Sequence, residues 1–192
     1  MKKIKISEVV SFVPGINQTR AEKQFGTKDI NYYDQSSFES DYAHEDGSVV
    51  ESSSEMNNEL LSLNEGDVVI SHSMQLATIV GKSNVGKVLS LNFVKVEFLS
   101  NQLDKRYFLY LFNDHKDVKR QKERKLQGSG AVLRIPLKVL SEISIPMPPL
   151  EKQKSIGMSY TEMLRLQGKL TKYSELLEQF TGSIIEERLK EE

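Results

Sequence analysis

The spacing of apolar residues changes several times along the chain, and each change marks an element. In "LNEGDVVISHS" a turn at 65–66 precedes an apolar run that predicts a strand over 67–71. "LATIV", residues 76–80, is a second β-branched run. Leu89, Leu91 and Phe93, then Val94, Val96 and Phe98, alternate with polar residues apart from one slip in phase, the period of a half-buried strand or two. The spacing then lengthens. Leu103, Tyr107 and Leu111, with Phe108 and Phe112, recur as on one helix face and predict a helix packed on the sheet, with "HKDVKRQKERK" as its polar tail. Pro136 suits the first turn of a short helix over 137–140, and Ile143 and Ile145 suit a last strand. Pro146, Pro148 and Pro149 forbid further ladder bonds and any helix before Leu150.

From Glu151 onward there is no proline. Ile156, Tyr160, Met163, Leu166, Leu170, Tyr173, Leu177, Phe180 and Ile184 follow one another at intervals of three and four, close to a heptad seam. About 40 residues of helix reach roughly 60 Å, longer than the preceding domain is wide, so the seam calls for another helix. Gly157, Gly168 and Gly182 mark close helix crossings or are simply tolerated. The expected architecture is an α/β (α+β) globular domain over 1–149, followed by one long C-terminal coiled-coil helix over 150–192.

"GKSNVGKV", residues 81–88, nearly spells a phosphate-binding loop. That loop needs glycines, a lysine, and a Ser or Thr hydroxyl for Mg²⁺ at the start of a helix. Val88 stands where the hydroxyl should be, and strand-period sequence follows where the helix should be. A strand, a turn near Ser83 and Gly86, and a returning strand is the better reading, and an NTPase the remote one. Lys82 and Lys87 then flank a loop tip able to meet the phosphates of DNA.

Charge is distributed unevenly. The whole chain is −1, but residues 1–80 hold 6 Lys+Arg against 13 Asp+Glu and residues 81–154 hold 15 against 7. A basic middle third suggests a local anion-facing surface, although charges also segregate on ordinary solvated faces. Six cations crowd into residues 116–125: Lys116, Lys119, Arg120, Lys122, Arg124 and Lys125. Other chemistry is sparse. There is no cysteine, so no disulfide framework or thiolate metal site. His44, His72 and His115 are too scattered for a metal site, and "SHS" at 71–73 reads as a polar loop. "DGS" and "ESSSE" near 46–55 read as a solvated acidic loop, and Tyr32 and Tyr33 as core or sheet edge. No methyltransferase motif is present. With neither a secretory signal nor a membrane-length apolar run, the expected setting is the cytosol.

The stretch "GSGAVLRIPLKVLSEISIPMPPLEKQKSI" resembles the join between target recognition domain and helix in specificity subunits of type I restriction-modification systems. Gly128, Ser129, Ile145, Pro146, Pro148, Pro149, Leu150, Gln153 and Ile156 carry the likeness. "LNEGDVVIS" is similar to a family strand through Leu63, Gly66, Asp67 and Val68, and "ISEVVSFVPGINQTR" to the N-terminal strand and its turn at Gly15. "YFLYLF" fits the family helix. A full subunit of that family has two recognition domains and two long helices, and this chain resembles half of one.

The resemblance implies a non-catalytic module, with no cofactor, that recognises double-stranded DNA and docks type I methyltransferase subunits. A homodimer on a two-part palindromic site is the expected form, paired through the seam residues. Lys and Arg would hold phosphates; Arg, Asn, Gln and Ser on loops would read base edges. The candidates are Asn17, Gln18, Thr19 and Arg20; the tip Lys82, Ser83, Asn84 and Lys87; and the basic segment with Gln127 and Ser129. The competing reading is a coiled-coil module that binds protein.

Overall fold

The computed structural model describes residues 3–17, 19, 23, 30–43, 62–125 and 135–190. Its centre is an antiparallel sheet in the order β2 (Val10–Pro14), β7 (Phe93–Phe98), β4 (Val68–Ser71) and β5 (Ala77–Ile79). β1 (Lys3–Lys5) pairs antiparallel with β8 (Ser144–Pro146), and β3 (Tyr32–Tyr33) pairs parallel with β6 (Val88–Leu89). Side chains alternate across a strand. In β4, Val68 and Ile70 therefore join one core cluster with Val94, Phe108 and Phe112, while Val69 joins another with Tyr33, Phe38, Leu89 and Phe93. Burial on both faces explains why β4 reads as an unbroken apolar run.

The 65–66 turn is present, with Gly66 at φ 82°, and the phase slip falls between Phe93 and Val94 at the start of β7, where the two side chains are buried in different core clusters. One expectation fails. The strand after "GKSNVGK" does not return on β5 but pairs with the distant β3. A 3-10 turn over Lys82–Asn84 and the positive φ of Gly86 redirect the chain toward α1 (Gln35–Ala43).

α2 (Lys105–Asn113) begins at Asp104, whose carboxylate accepts from the Tyr107 amide at 2.9 Å. Its basic continuation is not its tail. The helix stops at Asn113, whose side chain bonds both the N–H and the C=O of Ala77, and α3 (Lys116–Glu123) starts anew after His115. α4 (Leu137–Glu142) leads into β8, and α5 (Leu150–Lys190) runs 41 residues. Gln153 fastens this junction. Its Oε1 accepts from Asp104 N at 3.0 Å, and its Nε2 donates to the carbonyls of Gln102 and Pro148. A glutamine four residues after the double proline thus ties the helix start to the start of α2.

The first turns of α5 lie on α2. Gly157 sits so close that a Cβ there would stand 2.6 Å from Tyr107 N. Tyr160, Thr161 and Leu164 are buried nearby, and Ile156 packs on the same core. Tyr160 and Ile156 were expected in a seam for another helix; they face their own domain instead. Seam residues from Met163 onward, namely Leu166, Leu170, Tyr173, Leu177, Phe180 and Ile184, are exposed.

Candidate nucleic-acid interface

The exit of β2 sets the first group of candidates. Gly15 passes the Ser90 carbonyl so closely that any Cβ would overlap it, and Ile16 N donates to Leu89 O at 3.0 Å. Held there, the chain leaves with Asn17 and Thr19 exposed at the end of the sheet where β7 begins. Gln18 and Arg20 lie outside the described residues, as do Gln127, Ser129 and the stretch near 46–55.

The 81–87 loop is built around a buried carboxylate that sequence reading did not single out. Asp41 Oδ1 accepts from Gly81 N at 2.9 Å and Asn84 Nδ2 at 2.8 Å, and Oδ2 accepts from Tyr33 Oη at 2.7 Å. Burial first, and the Asp41 charge second, push the Tyr33 phenol far above its ordinary range, so it stays a donor. Asn84, expected at a DNA-facing tip, is 2% exposed and also donates to Ser37 O, which removes it from any surface. Lys87 is half-buried, and its ammonium donates to Ser37 Oγ at 2.8 Å. Ser37 in turn donates to Asp34, and these bonds hold the Asp34 carboxyl below its usual range. Of the four, Lys82 and Ser83 are the exposed ones. They leave β5 beside Gly66 and Asp67, at the opposite end of the sheet from Asn17. The nucleotide-loop reading fails on geometry: Lys87 leads into β6, so no helix N-terminus faces a phosphate.

The basic segment is also sorted by its surroundings. Lys122 was expected on DNA phosphate, yet it is 4% exposed. Its ammonium donates to the carbonyls of Gln75 (2.9 Å) and Phe112 (2.6 Å) and lies 4.1 Å from the Phe112 ring centroid. Burial first, then the Lys119 charge, brings its pKa down to about 8. Lys119 pairs with Asp114 at 2.7 Å, Lys125 with Glu142 at 2.8 Å, and Arg120 loosely with Asp117 at 3.9 Å. Lys116 and Arg124 are exposed and carry no ion pair among the described residues. Elsewhere Lys95 pairs with Asp67, and Lys105 donates to Gly66 O. Part of the positive charge of the middle third is therefore internal structure. Among the described residues no group of three His, Cys, Asp or Glu is placed to hold a metal, and no helix is long and apolar enough to cross a membrane.

Comparison with known proteins follows the same lines. The family model for the type I restriction modification DNA specificity domain matches residues 1–178. A search of curated proteins returns no match. The fold is similar to the type I restriction-modification S subunit of M. genitalium, with TM-score 0.51 and 15% identity, covering 94% of this chain and 41% of that one. It is also similar to a chain from a structure describing complex assembly and conformational transition of the type I R-M system, with TM-score 0.52 and 14% identity, covering 96% and 43%. The chain thus spans about two fifths of the length of these solved relatives. With its globular domain and most of its long helix inside the matched region, the chain belongs to the type I restriction-modification DNA specificity domain family, whose part is DNA recognition and not catalysis.

Proposed function

We propose that this chain reads a short element of double-stranded DNA for a type I restriction-modification system and docks methyltransferase subunits along α5. The observation that carries the reading is the family match across 1–178, which joins a globular reader to a long helix. Asn17 and Thr19 act as polar reading groups at one sheet end, and Gln18 and Arg20, their neighbours in sequence, are further candidates. Lys116, Arg120 and Arg124 hold phosphates, being exposed and, among the described residues, without an ion pair or only weakly paired. Asn84 and Lys122 are no part of the contact set. Two chains pair through the exposed apolar stripe of α5 and read a two-part palindrome.

Salt-dependent DNA binding separates this reading from a coiled-coil module that binds protein only. Each phosphate contact releases counterions, so changing Lys116, Arg120 and Arg124 to Ala lowers the slope of log K against log salt by up to about 0.9 per lost contact. Binding to target and unrelated DNA weakens alike, because phosphate contacts carry no sequence information. An unchanged slope removes α3 from the interface. Absence of any salt-dependent binding by the unmodified chain favours the protein-binding reading.

A further inference from the structure

Three connections meet where β2 and β4 end and β7 begins: residues 15–17, 72–76 and 91–92. They are tied together, with His72 N donating to Asn92 O at 2.9 Å and Gly15 N to Phe93 O at 3.1 Å. The middle connection is held more firmly than its surface position requires. Gln75 adopts φ 56°, a left-handed conformation disfavoured for a residue with a side chain, and its N–H closes a turn onto Ser71 O at 2.9 Å. Ser71 Oγ accepts from Met74 N and meets Ser73 Oγ at 3.2 Å. The next strand is pinned through Ala77 by Asn113 on both its N–H and its C=O. The Gln75 carbonyl accepts from the buried ammonium of Lys122. Taking a cation out of water is costly, and here it fastens a loop.

Strained backbone persists when its surroundings over-determine it, and such positions gather at ligand-contacting sites. What this loop presents suits DNA. Ser73 is exposed, and His72, Met74 and Gln75 are half-buried around it. Residues 71–77 and 90–93 contain no acidic side chain to repel a polyanion. The 15–17 connection, with exposed Asn17, enters at the same sheet end. Lys82, by contrast, follows β5 at the other end of the sheet, where Val80 bonds Gly66 and Asp67.

We infer that the 72–75 loop is a sequence-reading element, with Gln75 contacting base edges and Lys122 a positioning residue that holds the loop for it. Glutamine can meet adenine with two hydrogen bonds in the major groove, and a good pair of this kind discriminates among bases. The inference rests on the proposed DNA recognition, and the test separates the two.

The full chain and two variants, Gln75→Gly and Lys122→Met, are each incubated with a randomised double-stranded DNA pool, and the bound fraction is sequenced. Gln75→Gly removes the reading side chain at a backbone conformation that glycine adopts freely, so it folds even if Lys122→Met does not. The expected result is a loss of about tenfold or more in preference at one or more base-pair positions, with unrelated DNA bound within about twofold of the unmodified chain because its phosphate contacts survive. A folded Lys122→Met shows the same loss. If Gln75→Gly selects the same sequences with the same preference, the inference is overturned while DNA recognition stands. If the unmodified chain selects no sequence at all, both are overturned together.

Discussion

Asp41 is an aspartate whose oxygens are all committed. It is 3% exposed and accepts from a tyrosine hydroxyl, a glycine amide and an asparagine amide, joining α1, β3 and the 81–87 loop. Asp41→Ala leaves the Tyr33 hydroxyl and the Gly81 amide buried without this acceptor and removes one of the two that Asn84 uses, and each lost partner costs roughly 1–3 kcal/mol. The expected loss is about 3 kcal/mol after relaxation, read as a lowered urea midpoint, whereas exposed Ser83→Ala shifts stability by less than about 0.5 kcal/mol. A second residue-scale prediction concerns Lys122. Its pKa in the folded chain, about 8, lies below that of an unfolded lysine. Between those values the unfolded state binds more protons, so stability from this group rises with pH and is lost as pH falls through about 8. From pH 7.5 to 9.5 the unmodified chain gains on the order of 2 kcal/mol relative to Lys122→Met; parallel stability curves for the two proteins refute this. Asn84 and Lys122 show why contact residues were only partly legible. A polar letter in a polar stretch looks the same whether it faces water or closes a buried network, and the partners lie 43 and 47 residues away.

Elements were more legible than residues where one period governs. The 68–71 and 93–98 strands, α2 and the start of α5 follow from alternation, helical spacing and proline exclusion. The break between α2 and α3 was hidden because the stretch around His115 holds no proline or glycine; Asn113 bonding to β5 marks the stop, and that bond spans 36 residues. The parallel pairing of β6 with β3 was hidden for the same reason. Glycines in α5 show how one letter has opposite meanings by position. At Gly157 a Cβ would meet the α2 backbone at 2.6 Å, and at Gly168 it would stand 2.5 Å from Ala43 O. At Gly182 it would meet nothing within 4 Å. Gly157→Ala therefore forces α5 off α2 and lowers stability by about 1–3 kcal/mol, while Gly182→Ala adds up to about 1 kcal/mol of helix propensity. Thermal denaturation of the two variants checks the sign; a stabilised Gly157→Ala rules out the tight crossing.

At the scale of the whole molecule, the unequal treatment of α5 along its length bears on the proposed pairing of two chains. Its first turns are covered by α2, which shortens the seam available to a partner to the stretch from Met163 onward. Over about 28 residues, roughly 40 Å, Leu166, Leu170, Tyr173, Leu177, Phe180 and Ile184 face solvent, with Leu170 67% exposed. A row of large apolar side chains of that extent is rare on a soluble monomer. A second copy offers the same spacing of apolar groups, and two-fold pairing is the commonest closed symmetry. In an antiparallel pair each domain caps the far end of its partner's helix, so the two domains present the same loops in opposite orientation. The DNA site read by such a pair is two copies of one short element, inverted, with an unread spacer. Leu170→Asp together with Leu177→Asp places charges in the middle of the stripe, where pairing would bury them unpaired. The variant is expected to be monomeric by light scattering at tens of micromolar, with its thermal transition retained because neither residue touches the domain core. Genome-wide mapping of modified bases with the modification subunit present should then show a two-fold symmetric site for the unmodified chain and loss of two-part recognition for the variant. A stable monomer of the unmodified chain, or a modified site without two-fold symmetry, removes the pairing from the mechanism.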